Sequence, residues 1–254
     1  MGLVTPSGGQ GAIEVEPLPL RYNVAPSQSA PAVILDRDGG GGGVDTLGWG
    51  LVPSWAKDPE GSGLRRPINA RSETAASSPM FRGPMRKRRC VVPASGFYEW
   101  QARGGGGERQ TKQPWYITPA DGEVFAMAGV WDEWRGRGDG GGAGAGAALR
   151  TFAILTTGAN DAMKPIHDRM PVMLTREGVA AWLDGGVEDA AALRPLLRPC
   201  GDEALRLRRV GTWVNSPAHD DARCIEEAQA RADAAPPARG RRAGPEGPGL
   251  FGAA

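Results

Sequence analysis

The side chains capable of chemistry gather in three short stretches: Asn69-Ala-Arg-Ser-Glu-Thr74, Gly96-Phe-Tyr-Glu-Trp100 and Pro165-Ile-His-Asp-Arg-Met-Pro171. Together they supply an amide, a carboxylate, an imidazole and two guanidinium groups within apolar, turn-bounded segments, a set that can move protons and hold an anion. Glu99 is flanked by Phe97, Tyr98 and Trp100. Desolvation there would raise the carboxyl toward neutrality and make it a usable acid or base. A strand that buries its alternate positions would instead leave Glu99 facing outward. His167 is one of two histidines, held between Pro165 and Pro171 and followed by Asp168 and Arg169. A lone histidine is more often structural than catalytic, yet the proline-bounded turn and the adjacent guanidinium favour an anion-facing site. Asn69 and Arg71 share a face if their segment is extended, which suits a phosphate or sugar oxygen. Alternatively, Asn69 caps the turn after Pro67. Trp49, Trp55, Trp100 and Trp115 offer planes on which bases could stack, although core packing is the usual role of each.

Positioning such a set requires a substantial core, and 254 residues with 40% hydrophobic content can bury one. The net charge of +1 carries no global signature of nucleic-acid binding, so any such function rests on local patches. One candidate is the cluster Arg82, Arg86, Lys87, Arg88 and Arg89, whose bland reading is a solvated loop or strand edge. Cys90, Cys200 and Cys224 are odd in number and lack metal-ligand spacing, which argues against a disulfide framework and a zinc site and for a reducing compartment. Neither metal nor cofactor is expected. No run approaches the roughly 20 apolar residues of a spanning helix, and residues 1–20 lack a basic start followed by an apolar stretch, so a soluble, unsecreted protein without a membrane partner is expected.

The glycines concentrate in islands at 39–43, 104–107 and 136–146, which read as flexible connectors between strands rather than phosphate cradles. Between them, Ala32 to Leu35, Thr46 to Leu51, Arg89 to Pro93, Trp115 to Thr118, Val124 to Trp131 and Arg150 to Thr156 predict six or more strands. Helical periodicity is limited to Ser72 to Ser78, Thr175 to Leu183 and Glu188 to Leu197. The predicted fold is strand-dominated α+β, a curled, barrel-like mixed sheet with peripheral helices in one domain. The segment from Ala230 to Ala254 contains almost nothing that can be buried and reads as a disordered tail.

From Arg21 to Cys224 the chain resembles the SOS response-associated peptidase family, the abasic-site processing proteins that cross-link to single-stranded DNA. The resemblance rests on eight motifs in order: Arg21 to Gln28, Trp49 to Lys57, Asn69 to Thr74, Val91 to Trp100, Ala128 to Trp131, Thr156 to Asn160, His167 to Pro171 and Val214-Asn215. It implies an atypical N-terminal segment at 1–20, a family-like domain at 21–229 and a tail at 230–254. It further implies that Asn69 orients the opened sugar, that Glu99 is the general acid/base and that His167 assists proton transfer. Arg71, Arg169 and Thr157 would hold DNA phosphates, and Trp100 would pack beside the lesion. The implied partner is single-stranded DNA containing abasic sites, met by a monomer in the cytoplasm, nucleoid or nucleus during the response to DNA damage.

Members of this family begin Met-Cys-Gly-Arg, and the cysteine amine and thiol together close a thiazolidine on the sugar aldehyde. Here residue 2 is glycine. The expected chemistry is therefore a Schiff base through the Gly2 amine, with lyase activity but no stable thiazolidine, and peptidase activity is poorly supported without the thiol. The alternative is a single-stranded-DNA-binding module that has lost turnover.

Overall fold

The computed structural model describes residues 20–35, 42–61, 63–103, 111–136 and 148–228. Ten strands run through these residues: β1 (Ser29–Leu35), β2 (Gly42–Trp49), β3 (Asn69–Arg71), β4 (Arg89–Ala94), β5 (Phe97–Arg103), β6 (Thr111–Pro119), β7 (Phe125–Trp134), β8 (Leu149–Gly158), β9 (Arg169–Pro171) and β10 (Leu205–Arg209). The helices are α1 (Ser72–Ala75), α2 (Arg82–Lys87), α3 (Arg176–Leu183) and α4 (Ala190–Leu193), with short 3-10 turns after α4.

Antiparallel pairing runs β2–β1–β4–β7–β8, and a short parallel pairing of Gly48 and Trp49 with Thr151 and Phe152 returns β8 to β2. This closes a five-stranded mixed barrel, the architecture expected from the sequence. Beyond its contact with β2, β8 pairs in parallel with β3 and antiparallel with β9. A second antiparallel sheet, β10–β6–β5, stands against the barrel.

The two faces of the central strands explain why their sequences read as continuous apolar runs. Ala32, Leu47, Cys90, Val92, Met127, Phe152 and Ile154 fill the interior, joined by Phe97, Ile117 and Leu205 of the second sheet and by Met163 and Met170. Their neighbours Val91, Ala128, Val130, Ala153 and Leu155 face outward and are covered by Met85, Trp182, Leu183 and Leu193 from the helices. Gly129 has no room for a side chain, since a Cβ there would lie 2.8 Å from the Cys90 sulfur. Thr175 caps α3 by accepting the Gly178 N–H at 3.1 Å.

Several sequence readings change here. The basic run is neither loop nor strand edge over most of its length: residues 82–87 form α2, whose first turn tolerates Pro84 because that position needs no intrahelical N–H partner. Arg89 is buried and donates to the carbonyls of Met85, Arg86, Trp182 and Asp184, while Arg88 pairs with the buried Asp132 carboxylate at 2.9 Å. Those two cations hold helices and barrel together. Gly42 and Gly43 are strand residues of β2, paired with Leu35 and Ile34, rather than connector. The predicted helix from Ser72 to Ser78 shortens to α1, and the one from Glu188 shortens to α4, which tightens into a 3-10 turn at Pro195. The rest of the first glycine island, the island at 104–107, residues 137–146 of the third, residues 1–19 with Gly2, and the tail from 230 lie outside the described residues.

Candidate active site

The strand β5 answers the question left open for Glu99. Alternation sends Phe97 and Glu99 to the barrel side and Tyr98 and Trp100 to the opposite face. The Glu99 side chain is inward, 2% exposed, with its Oε2 accepting the Trp100 backbone N–H at 3.3 Å. Trp100 correspondingly belongs to the cluster around Val210, Val214 and Cys224, with the Tyr98 ring 6.3 Å away, and its indole N–H donates to Asn215 at 2.8 Å. It does not share the face of the carboxylate.

The strand β3 is extended, as the pairing of Asn69 and Arg71 on one face required. Its register is Asn69 to Ile154, Ala70 to Leu155 and Arg71 to Thr156. Ala70 is buried against the helix-covered face, so Asn69 and Arg71 lie on the side of Ile154 and of the barrel interior. Arg169 on β9 reaches the same place from the other flank of β8, donating to the Thr156 carbonyl at 2.6 Å and its hydroxyl at 3.2 Å. The two guanidinium groups thus belong to strands that meet β8 at Thr156. They differ in state. Arg71 is exposed, whereas Arg169 forms a bidentate pair with Glu73 at 2.7 and 2.9 Å, and that pair holds the Glu73 carboxyl below its usual range. Thr157 is 6% exposed and its hydroxyl donates to the Leu197 carbonyl, tying β8 to the 3-10 turn that follows α4.

The turn carrying His167 is built by Asn160. Its carboxamide oxygen accepts the Met163 N–H at 3.0 Å and its amide donates to the Cys200 carbonyl at 3.1 Å. Met163, Ile166 and Met170 anchor the turn in apolar surroundings, Met163 and Met170 in the barrel interior itself. His167 Nδ1 accepts the Arg169 backbone N–H at 3.0 Å, which leaves the proton of the neutral ring on Nε2. Burial pushes the imidazole pKa down and outweighs the opposing Asp168 carboxylate, so the ring is neutral at neutral pH. Gln101, two residues along the same face from Glu99, donates to the Pro165 carbonyl at 2.8 Å and accepts the Trp115 indole N–H at 3.1 Å. This side chain joins the carboxylate's strand to the imidazole's turn.

Asn69, Glu99 and the His167 turn therefore open onto one apolar interior, with the two arginines at Thr156 beside them. The arrangement offers a buried carboxyl, a neutral imidazole and an amide for proton transfer and orientation, with cationic groups for an anion. Sequence reasoning did not single out Glu73, Gln101 or Asn160. An Asn three residues before an apolar anchor was the available signal for the last.

Among the described residues no cluster of His, Cys, Asp and Glu could hold a metal ion, and no helix is long and apolar enough to cross a membrane. Similar proteins narrow the interpretation. A Bacillus subtilis (strain 168) protein named abasic site processing protein YoqW is 39% identical over 205 residues, covering 81% of this chain and 85% of its own. Abasic site processing protein HMCES of Gallus gallus is 34% identical over 231 residues, covering 80% of this chain and 65% of its own. A crystal structure of a Bacteroides thetaiotaomicron protein superposes with a TM-score of 0.67 at 30% identity, over 80% of this chain and 82% of that one. The family model described as SOS response associated peptidase (SRAP) matches residues 9–217, and the chain belongs to that family.

Proposed function

We propose that this protein processes abasic sites in single-stranded DNA by forming a Schiff base with the ring-opened sugar. The observation that carries the reading is the convergence of Asn69, Glu99 and the His167 turn on one interior, beside the arginines that meet at Thr156. An abasic sugar in its open form is an aldehyde flanked by phosphates, and those groups match its needs. The chemistry needs a neutral primary amine, which an α-amine supplies more readily than a lysine. An α-amine pKa of about 7.7 to 8, against about 10.4 for lysine, gives roughly two orders of magnitude more neutral amine at pH 7. Nitrogen adds to the aldehyde carbon, the carbinolamine loses water, and the imine then hydrolyses or undergoes β-elimination. Glu99 and His167 move the protons, Asn69 orients the sugar, and Arg71 holds a phosphate. Arg169 joins in holding phosphate when Glu73 yields to it.

Incubation with an abasic single strand, with and without borohydride, tests the reading. A covalent adduct is expected only with reductant, because hydride converts the imine to a stable amine. An adduct that survives heat without reductant would overturn the Schiff-base stage as the end point. The second reading is a binding module without turnover, for which neither condition gives an adduct while intact single strands still bind.

Gln101 provides a sharper check on the geometry. Gln101→Ala removes the hydrogen bond that holds the Pro165 turn to β5 and the one from Trp115 that orients Gln101, so the imine-forming rate is expected to fall on the order of tenfold to a hundredfold through misplacement of His167. Stability should fall by only about 1 kcal/mol. Equal rates in single-turnover trapping would remove Gln101 from the site.

A further inference from the structure

The edge of the second sheet carries cations that the proposed chemistry does not use. In β10, Leu205 and Leu207 point into the barrel-side core, while Arg206, Arg208 and Arg209 are all exposed. None of the three has a carboxylate at ion-pair distance among the described residues, unlike Arg86, Arg88, Arg150 and Arg169. Two lie over aromatic rings: Arg208 over Tyr116 at 5.8 Å and Arg209 over Trp115 at 5.2 Å. A cation–π contact restrains the side chain while leaving its N–H donors available to an anion.

Their position relative to the site is set by register. Arg209 pairs with Trp115, which pairs with Glu99, so the three form one row across β10, β6 and β5. At a strand spacing of about 4.8 Å, the Arg209 backbone lies about 10 Å from that of Glu99. Arg206 and Arg208, two residues apart and about 6.6 Å from each other, project from the opposite face, that of Tyr116, Tyr98 and Trp100, so they lie round the sheet edge from Arg209 and Glu99.

We propose that β10 is a second contact for DNA, holding the phosphates of the single strand that continues away from the bound lesion. A polymer with one negative charge per nucleotide fits unpaired arginines on both faces of this edge, met in turn as the strand passes Arg209 on the carboxylate's side and bends over β10 to Arg208 and Arg206. The proposal rests on the reading of that site as one for abasic single strands. The competing role for arginines on an edge strand is to prevent pairing with another chain's edge.

The test neutralises Arg206 and Arg208 together (Arg206→Gln, Arg208→Gln) and leaves Arg209, whose ring partner Trp115 holds Gln101. Binding is followed by fluorescence anisotropy with intact single strands of about 6 and about 20 nucleotides. Affinity for the longer strand is expected to fall about tenfold, with the salt slope reduced by about 1.4, at roughly 0.7 per lost phosphate contact. Affinity for the shorter strand and borohydride trapping of a short abasic strand should be unchanged. Unchanged binding to both lengths overturns the proposal and leaves edge protection as the role of the arginines. Equal weakening on both lengths overturns it as well. Arg206→Lys with Arg208→Lys, which keeps the charge, should restore the salt slope; if it does not, phosphate contact is rejected. Failure of imine formation in the wild-type protein would sink the proposed chemistry, whereas the anisotropy on intact strands reads β10 independently.

Discussion

Replacing Glu99 by Gln, or His167 by Ala, is expected to lower the rate of imine formation and strand cleavage on abasic DNA by roughly 10² to 10⁴-fold, the usual contribution of a positioned acid or base. Both variants should keep a cooperative melt, because the Glu99 exchange is nearly isosteric and His167 lies in a turn held by Asn160 and its methionine anchors. The pH profile separates the two. Burial holds the folded His167 pKa below its ordinary value of about 6.5, so its neutral form persists to lower pH and its acid limb lies below that value. The linked stability has the matching sign: a depressed histidine favours the native state above the unfolded pKa, and that contribution is lost as pH falls toward the folded one. The acid limb should vanish in His167→Ala. Cleavage at the wild-type rate in both variants, measured by single-turnover trapping, would defeat the assignment.

Gly96→Ala is expected to be the most damaging small substitution near the site. A Cβ at this position would lie 2.4 Å from the Tyr116 ring and 2.7 Å from the Ile117 carbonyl oxygen. Neither can move cheaply, since Ile117 pairs with Phe97 across β5 and β6 and Tyr116 is packed with Tyr98 and Arg208. Overpacking of this kind costs about 2–3 kcal/mol, equivalent to roughly 5–10 °C in melting temperature for a domain of this size. The displaced β5 carries Glu99, so activity should fall with stability. Gly83→Ala is the control, because a Cβ there meets nothing within 4 Å and alanine suits a helix. Equal melting temperatures for Gly96→Ala and the wild-type protein, by calorimetry, would show that the contact relaxes freely.

The sequence was legible where local pattern and burial agree. The central strands β1, β4, β7 and β8 are rich in β-branched and apolar residues because both faces are covered, and α3 announces itself by its Thr175 cap. The edge elements were harder to read. In β10, Leu205-Arg-Leu-Arg-Arg209 does alternate, but its significance depends on β6 lying beside it. In α2, Gly83 and Pro84 look like breakers until the first turn of the helix is located around them.

For the site, the residue types, their order and the family were in the sequence by itself: amide, carboxylate, imidazole and guanidinium groups in ordered motifs, with glycine at position 2. Which way each side chain points was not. Alternation along a strand allows two phases, and only packing against the barrel sends Glu99 inward and Trp100 outward. Likewise, an arginine's partner depends on which strands become neighbours. Tertiary structure gave Arg169 to Glu73, Arg88 to Asp132 and Arg89 to helix carbonyls, and left Arg71, Arg206, Arg208 and Arg209 exposed. The reason is distance: ion pairs and stacked rings act over a few ångströms between residues far apart in the chain, so they come into being only when the sheet register is set.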